Sequence, residues 1–338
     1  MSKTSFYMSA LFAPLAAIAA PIDDAERYYD ERNYVAALNA VVPLLNTGEA
    51  RAEGLYATML LIGRGVASDP AKAMVMLESA ASDGSARAMN TLGYVYDTGI
   101  GVEANPEVAL DYYEQAAALG FARAQTNAGL FYKDGVGTIA DPAKAKAYFE
   151  AAAAQGNGEA LNELGILYLE GVGASADAGK ACDFYEQAAE KGVGVAMSNL
   201  GYCYEHGEGR PQDYLKAAEW YARQADLGEL YGKFALSHLY HNGYGVPQNP
   251  DVAFRLAWSA ATEGDPGGQY NVGEFYWKGV GVPTDKVRAY AWMVIAGASG
   301  DPDAPNDLVT FAGEMTPDEV AAGQTLAARC VGSGFSDC

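Results

Sequence analysis

Basic side chains are scarce in this sequence. Its 338 residues include 22 Lys and Arg against 43 Asp and Glu, which gives a formal net charge of -21. A charge of this sign repels phosphate backbones and anionic membrane surfaces. The acidic residues are scattered along the chain instead of forming one block, a pattern typical of a solvated surface. We therefore expect no nucleic-acid partner and no dedicated cation-binding face.

Motifs that carry catalysis are also absent. The sequence has no G-x-S-x-G, C-x-x-C, H-E-x-x-H, G-K-S/T or S-x-x-K pattern, and these patterns supply nucleophiles, metal ligands and phosphate cradles. There are three histidines. His238 and His241 share one helix face, whereas His206 precedes Gly207 at a helix end, where the helix dipole favours a cation. We expect no enzyme activity, no cofactor and no metal site.

Long apolar runs are missing beyond the first twenty residues. These begin with Lys3, continue as an apolar stretch over residues 6–20 and carry small residues at 17 and 19. This order is typical of a secretory signal peptide. An uncleaved anchor is the alternative, but the stretch is short for a membrane span and is interrupted by Pro14. We expect a signal peptide over residues 1–20 and a secreted or periplasmic mature protein without stable membrane insertion.

Cysteine is limited to four residues. Cys330 and Cys338 are close in sequence, with Gly332 and Gly334 between them. In an oxidising compartment, a disulfide between them would hold the C-terminal tail in place. Two free thiols are the alternative. The remaining pair, Cys182 and Cys203, falls on apolar helix faces, so we expect both to be buried separately as small hydrophobic side chains.

Glycine, in contrast, is abundant and periodic. A glycine recurs every 36 residues, a second follows two residues later in every copy, and a third ends each copy. Because helices commonly end on a left-handed residue, this pattern predicts two helix ends per repeat. The three series are Gly63, Gly99, Gly135, Gly171, Gly207, Gly243 and Gly279; Gly65, Gly101, Gly137, Gly173, Gly209, Gly245 and Gly281; and Gly84, Gly120, Gly156, Gly192, Gly228, Gly264 and Gly300.

Between these glycines the sequence marks the start of a second helix. An Asp or Asn occupies one position in all seven copies, from Asp69 to Asp285, and proline follows in four of them. This is an N-cap followed by proline at the first helical position. Alanine and bulky residues then follow at helical spacing, and no strand-like alternation appears anywhere. The sequence therefore predicts tandem helix hairpins.

The pattern A-x-x-x-L-G-x-x-Y-x-x-G-x-G, followed by K-A-x-x-x-Y-x-x-A-A-x-x-G, resembles the Sel-like repeat, a relative of the tetratricopeptide repeat. The resemblance covers residues 49–300 and departs from the pattern only at single positions such as Leu60 and Ser237. It implies an all-α, right-handed superhelical solenoid that binds other proteins. The seven predicted repeats are 49–84, 85–120, 121–156, 157–192, 193–228, 229–264 and 265–300.

Both ends of the array have their own predicted segments. Residues 21–48 match a shortened copy in the same register and form an expected N-terminal cap. Residues 301–338 form a C-terminal capping helix and tail, with Thr316 as N-cap, Pro317 at the first helical position and Glu319 at the third. We expect this closing helix to run to about Cys330.

The variable positions of the first helices suggest a binding surface. By resemblance, first helices line the concave face, and aromatic and imidazole side chains concentrate there in the last copies. Aromatic residues give large contact area at a small entropic cost. Packing between neighbouring repeats is the alternative explanation. The predicted groove for a protein or peptide partner consists of Tyr202, Tyr231, Phe234, His238, His241, Tyr270 and Trp277.

These features predict a non-enzymatic scaffold or adaptor in the envelope or outside the cell. Two other functions stay open: a peptidoglycan- or penicillin-binding or hydrolysing envelope protein, and a structural regulator that assembles with itself. A hydrolase needs a clustered carboxylate or nucleophile in the groove, whereas self-assembly makes the elution volume depend on concentration. The sequence assigns neither the partner nor the oligomeric state.

Overall fold

The computed structural model describes residues 21–172 and 175–338, so the predicted signal peptide and Gly173 lie outside the described residues. The described part is all α-helical, with one short 3-10 turn and no strand. The helices are α1 (Pro21–Asp30), α2 (Tyr34–Val41), α3 (Ala50–Ile62), α4 (Pro70–Ser82), α5 (Ala86–Thr98), α6 (Pro106–Ala118), α7 (Ala122–Asp134), α8 (Pro142–Ala154), α9 (Gly158–Glu170), α10 (Ala178–Glu190), α11 (Gly194–His206), α12 (Tyr214–Asp226), α13 (Leu230–Asn242), α14 (Pro250–Thr262), α15 (Pro266–Lys278), α16 (Lys286–Ala298), α17 (Ala304–Gly313) and α18 (Pro317–Gly332).

These helices form two compact units, one up to Asp141 and one from Pro142 to Cys338. Within each unit, antiparallel pairs of helices follow one another and each pair packs against the next, as in a solenoid. The predicted class, an all-α array of tandem helix hairpins, is confirmed. No helix in residues 21–172 or 175–338 combines the length and apolar character that a membrane span requires.

The helix boundaries follow from local chemistry. Helix α11 ends at Gly207, whose φ of 70° lies in the left-handed region that glycine adopts without strain. Helix α12 begins after Asp213, whose carboxylate accepts a hydrogen bond from the backbone N–H of Lys216 at 3.1 Å. This cap satisfies one of the free N–H groups at the helix start. The predicted helix ends and N-caps are confirmed at these positions.

Small residues allow the helices to approach closely. A Cβ added to Gly201 of α11 would lie 2.4 Å from Cε1 of Tyr221 in α12, so the tyrosine ring occupies the space that a side chain would need. Between repeats, a Cβ on Gly209 would lie 2.3 Å from the carbonyl oxygen of Ala178. Gly209, the second glycine of its pair, therefore has a packing role in addition to its place in the turn.

The C-terminal end contains one more helix than the sequence suggested. The closing helix α18 begins with a capping box between Thr316 and Glu319 and packs against α16, where Gly323 meets the ring of Tyr290. Helix α17 precedes it and was not predicted. Its buried residues Ala304 and Phe311 lie 36 positions after Gly268 and Phe275, so α17 continues the register of the first helices.

Both cysteine pairs form disulfides in the structure. Cys330 is joined to Cys338 in the tail. Cys182 of α10 is joined to Cys203 of α11, with a Cα–Cα distance of 6.3 Å. The expectation of two separate thiols at Cys182 and Cys203 was wrong, although both residues are buried. The two cysteines, 21 residues apart, meet because α10 and α11 belong to consecutive repeats and pack against each other.

Candidate functional site

The candidate site lies on the first helices α11 and α13 of the second unit, with one contribution from α12. Its centre is Glu205, near the end of α11, whose side chain is only 14% exposed. One carboxylate oxygen accepts a hydrogen bond from the hydroxyl of Tyr221 at 2.8 Å, and the other lies 3.5 Å from Nδ1 of His238. Residues of three helices therefore converge on one carboxylate.

The surroundings keep this carboxylate ionised. Burial alone would raise the pKa of Glu205, but hydrogen bonds from His238 and Tyr221 and the nearby imidazoles outweigh burial and lower the pKa. Burial and the charge of Glu205 together raise the pKa of Tyr221. Tyr221 therefore remains a neutral hydrogen-bond donor, and Glu205 remains an anion at neutral pH.

Three of the predicted groove residues surround this anion. Tyr202 and Tyr231 are 43% and 42% exposed, and the side chain of His238 is 50% exposed. The ring of Tyr231 meets that of Tyr221 edge to face at a centroid distance of 6.1 Å. Burial, followed by the charge of Glu205, raises the pKa of Tyr231. We call Tyr202, Glu205, Tyr221, Tyr231 and His238 the Glu205 cluster.

Two further predicted residues, Phe234 and His241, are half-buried against the next first helix, α15. A Cβ added to Gly267 of α15 would lie 2.9 Å from the ring of Phe234. The ring of His241 lies 5.2 Å from that of Phe275, centroid to centroid. Burial, and then the charge of Lys278, lower the pKa of His241. Both side chains thus contribute to packing between neighbouring repeats.

The last two predicted groove residues, Tyr270 and Trp277, pack against α17. The hydroxyl of Tyr270 donates a hydrogen bond to Asp307 at 2.6 Å. The indole of Trp277 stacks on Phe311 with a centroid distance of 3.9 Å and an interplanar angle of 5°. Packing, the alternative that the sequence left open, therefore describes the contacts of Tyr270 and Trp277. The structure does not place these two residues with the Glu205 cluster.

Two members of the cluster were missed as site residues. Glu205 belongs to one of the variable first-helix positions, but its acidic side chain did not match the aromatic trend. Tyr221 is one of the bulky residues at helical spacing in the second helices, a pattern that predicts packing and not a binding site. Glu205 could have been found by looking for an acidic residue among the aromatic ones, because acidic and aromatic residues both occur at the variable positions of the first helices.

The histidines do not form a metal centre in the described part of the chain. No group of three or more His, Cys, Asp or Glu side chains there has a geometry that could hold a metal ion. The ring of His206 instead stacks on Tyr202 at 4.0 Å, centroid to centroid. His238 contacts Glu205, as described above, and His241 packs on Phe275.

The fold defines a tandem helical-repeat protein. Its sequence matches the family model described as "Sel1 repeat" in seven consecutive stretches, so the chain belongs to the Sel1 repeat family. Proteins of this family are generally protein-interaction scaffolds. The matches start one residue later than the predicted repeats; they cover residues 50–85, 86–121, 122–157, 158–193, 194–229, 230–265 and 266–301.

Solved structures include similar chains. A Sel1 repeat protein from Oxalobacter formigenes is 26% identical, with 82% of this chain and 97% of that chain covered and a TM-score of 0.59. The protective antigen c5321 of uropathogenic Escherichia coli is 20% identical, with coverages of 94% and 93% and a TM-score of 0.48. Immunity protein Pa5087 of Pseudomonas aeruginosa is 23% identical, with coverages of 63% and 81% and a TM-score of 0.43. No curated protein matches the chain.

Proposed function

We propose that this protein is a non-enzymatic scaffold, secreted or periplasmic, that holds a partner protein through the Glu205 cluster. One observation carries the proposal: two partly exposed tyrosines and a half-exposed histidine surround a carboxylate that is kept ionised. Partly exposed aromatic side chains grouped on one face are typical of interaction sites. Membership of the Sel1 repeat family supports the same general function.

The chemistry of the cluster favours a basic segment of the partner. A Lys or Arg side chain has an aliphatic stem that packs against tyrosine rings and a cationic head that pairs with Glu205. The net charge of -21 adds a long-range attraction for a basic partner. We therefore propose a peptide segment that contains at least one Lys or Arg as the occupant of the cluster.

The properties of Glu205 argue against catalysis at this site. A glycoside hydrolase needs a protonated carboxylic acid, whose pKa is raised, beside a second carboxylate. Hydrogen bonds from His238 and Tyr221 lower the pKa of Glu205 instead. This supports a binding role over the hydrolysis of peptidoglycan.

The two disulfides support the proposed location. Such bonds form and persist in oxidising compartments, including the periplasm and the outside of the cell. Cys182 and Cys203 are both buried within the array, so their bond joins parts of the folded core. This agrees with the signal peptide predicted over residues 1–20.

Site-specific photo-crosslinking in intact cells tests the proposal. A photoreactive amino acid replaces Tyr202 or Tyr231 in the cluster or, as the control, Leu215, which is 56% exposed on the second helix α12. We expect one protein to be captured at both cluster positions and not at Leu215, with a Lys- or Arg-containing segment in the adduct. Equal capture at all three positions, glycan adducts alone, or adducts between copies of this chain would reject the proposal.

A further inference from the structure

A second surface, in the first unit, has the opposite chemistry. A cleft of about 310 Å³ opens along the first helices α3, α5 and α7, beside α1. It contains two arginines, Arg64 and Arg123, and no Asp or Glu among its lining residues. In a chain with 43 acidic residues, a cleft lined only by cationic and neutral side chains is a local reversal of charge. Besides the arginines, the residues that line the cleft include Tyr29, Asn90, Tyr94 and Asn127.

In the described part of the chain, Arg64 has no acidic partner. Among the described residues, no carboxylate lies within 4.0 Å of its guanidinium, whose hydrogen bond to the hydroxyl of Tyr29 is long at 3.4 Å. The central carbon of the guanidinium lies over the ring of Tyr34, 5.3 Å from the ring centroid. Arg64 is exposed. Its donors therefore remain available to a ligand.

Two other arginines near α1 lie close to carboxylates, but at different distances. Arg87 is 5% exposed and contacts Glu26 and Asp30, as expected of a structural ion pair. Arg123 is half exposed, and its nearest carboxylate is Asp30 at 4.0 Å, the limit for an ion pair. Arg123 and Arg64 are thus the two cations of this cleft with donors left to offer.

An amide pair connects the repeats in the same cleft. The side chain of Asn127 donates a hydrogen bond to the side-chain oxygen of Asn90 at 3.0 Å. This bond uses one of the two amide hydrogens of Asn127, so the other is available to an acceptor. Asn90 is held in place because it is buried. The cleft thus combines two guanidinium forks with an ordered amide donor.

We propose that this cleft binds a peptide carboxylate, either the C-terminal carboxylate of a partner chain or an Asp or Glu side chain. A planar carboxylate matches the fork of an arginine in two parallel hydrogen bonds. The ring of Tyr94, which is 43% exposed, provides an apolar side for the adjoining peptide. This inference is independent of the Glu205 cluster, which belongs to the other unit.

Calorimetric titration of the full-length protein tests the proposal and separates the two sources. The probes are acetylated octapeptides of Gly, Ser and Leu in three forms: with a free C-terminal carboxylate, with a C-terminal amide, and with a C-terminal amide plus two central Glu residues. We expect at least one carboxylate-bearing form to bind and the neutral amide not to bind. Binding of only the first form identifies a C-terminal carboxylate, and binding of only the third identifies an acidic side chain.

Matched variants locate the binding. Arg64→Gln and Arg123→Gln should each weaken it about tenfold or more, because each removes a charge-assisted hydrogen-bond donor. Lys72→Gln, which removes the same charge from an exposed position of α4 outside the cleft, should leave it unchanged. If Arg64→Gln alters the thermal melting curve, the affinity of Arg123→Gln decides whether the cleft binds the carboxylate. We expect Arg123→Gln to fold normally, because the Arg123 side chain makes only one ionic contact, at 4.0 Å. No binding of any peptide, equal binding of the neutral amide, or unchanged affinity in a folded Arg123→Gln variant would overturn the proposal.

Discussion

The bond between Cys182 and Cys203 makes a quantitative prediction about stability. It joins α10 to α11 and closes a loop with a sequence separation of 21 residues. In the chain-entropy description, a cross-link of this length removes enough freedom from the unfolded chain to stabilise the folded state by about 3 kcal/mol. We therefore expect the double variant Cys182→Ala, Cys203→Ala to lose about 3 kcal/mol of unfolding free energy.

A double variant is preferable to chemical reduction because both sulfurs are buried and a reductant has little access to them in the folded state. Urea unfolding, followed by far-ultraviolet circular dichroism, gives the free energy of the wild type and the variant under identical conditions. The matched control is Cys330→Ala, Cys338→Ala. Its bond closes a sequence separation of only 8 residues in the tail, so its loss should loosen the last turn of α18 with a smaller effect on the array.

Two results would refute this reasoning. One is a double variant that unfolds within about 0.5 kcal/mol of the wild type, the size expected of a neutral surface substitution. The other is four reactive thiols in denatured protein that was isolated without reductant. The second result would also remove one support for a secreted or periplasmic location, because it would show that neither pair is oxidised.

Two substitutions test the contacts around the candidate site. Tyr221→Phe removes the hydroxyl that donates to Glu205 and should cost about 2 kcal/mol near neutral pH, as for a hydrogen bond to a charged group. Since the pKa of Glu205 is lowered in the folded state, this stabilisation is present above about pH 4.3, the usual pKa of glutamate, and is lost as pH falls through the lowered value. Urea titrations at several pH values should show the two proteins converging in acid, and a constant difference would contradict the role of Glu205. Trp277→Ala breaks the stack on Phe311 and should cost about 2 to 3 kcal/mol, less than for a fully buried tryptophan. The control Tyr202→Ala should change stability by less than about 0.5 kcal/mol. If Trp277→Ala leaves the stability unchanged but abolishes partner binding, Trp277 is instead part of the binding surface.

The repeat and its helix ends could be predicted because their causes are local. A left-handed helix end at Gly207 and an N-cap at Asp213 depend on residues within one or two turns, and the interval of 36 residues repeats them seven times. Periodicity then fixes which faces are apolar. These features need no knowledge of how one repeat meets the next.

The features that sequence reasoning missed depend on contacts between helices. Glu205, Tyr221 and His238 come from α11, α12 and α13, and no local pattern indicates that their side chains meet. Helix α17 was missed because its copy lacks the diagnostic glycine: Met315 stands 36 residues after Gly279. The contacts of Trp277 could not be predicted without that helix.

The most direct test of the account is an affinity measurement with the partner segment recovered by crosslinking. The wild type, the variant Tyr202→Ala, Tyr231→Ala and the control Leu215→Ala are titrated with that synthetic segment by calorimetry. The account predicts that the double variant binds about tenfold or more weakly at an unchanged melting temperature, whereas Leu215→Ala binds like the wild type. Equal affinity of the double variant and the wild type would contradict the claim that the Glu205 cluster holds the partner.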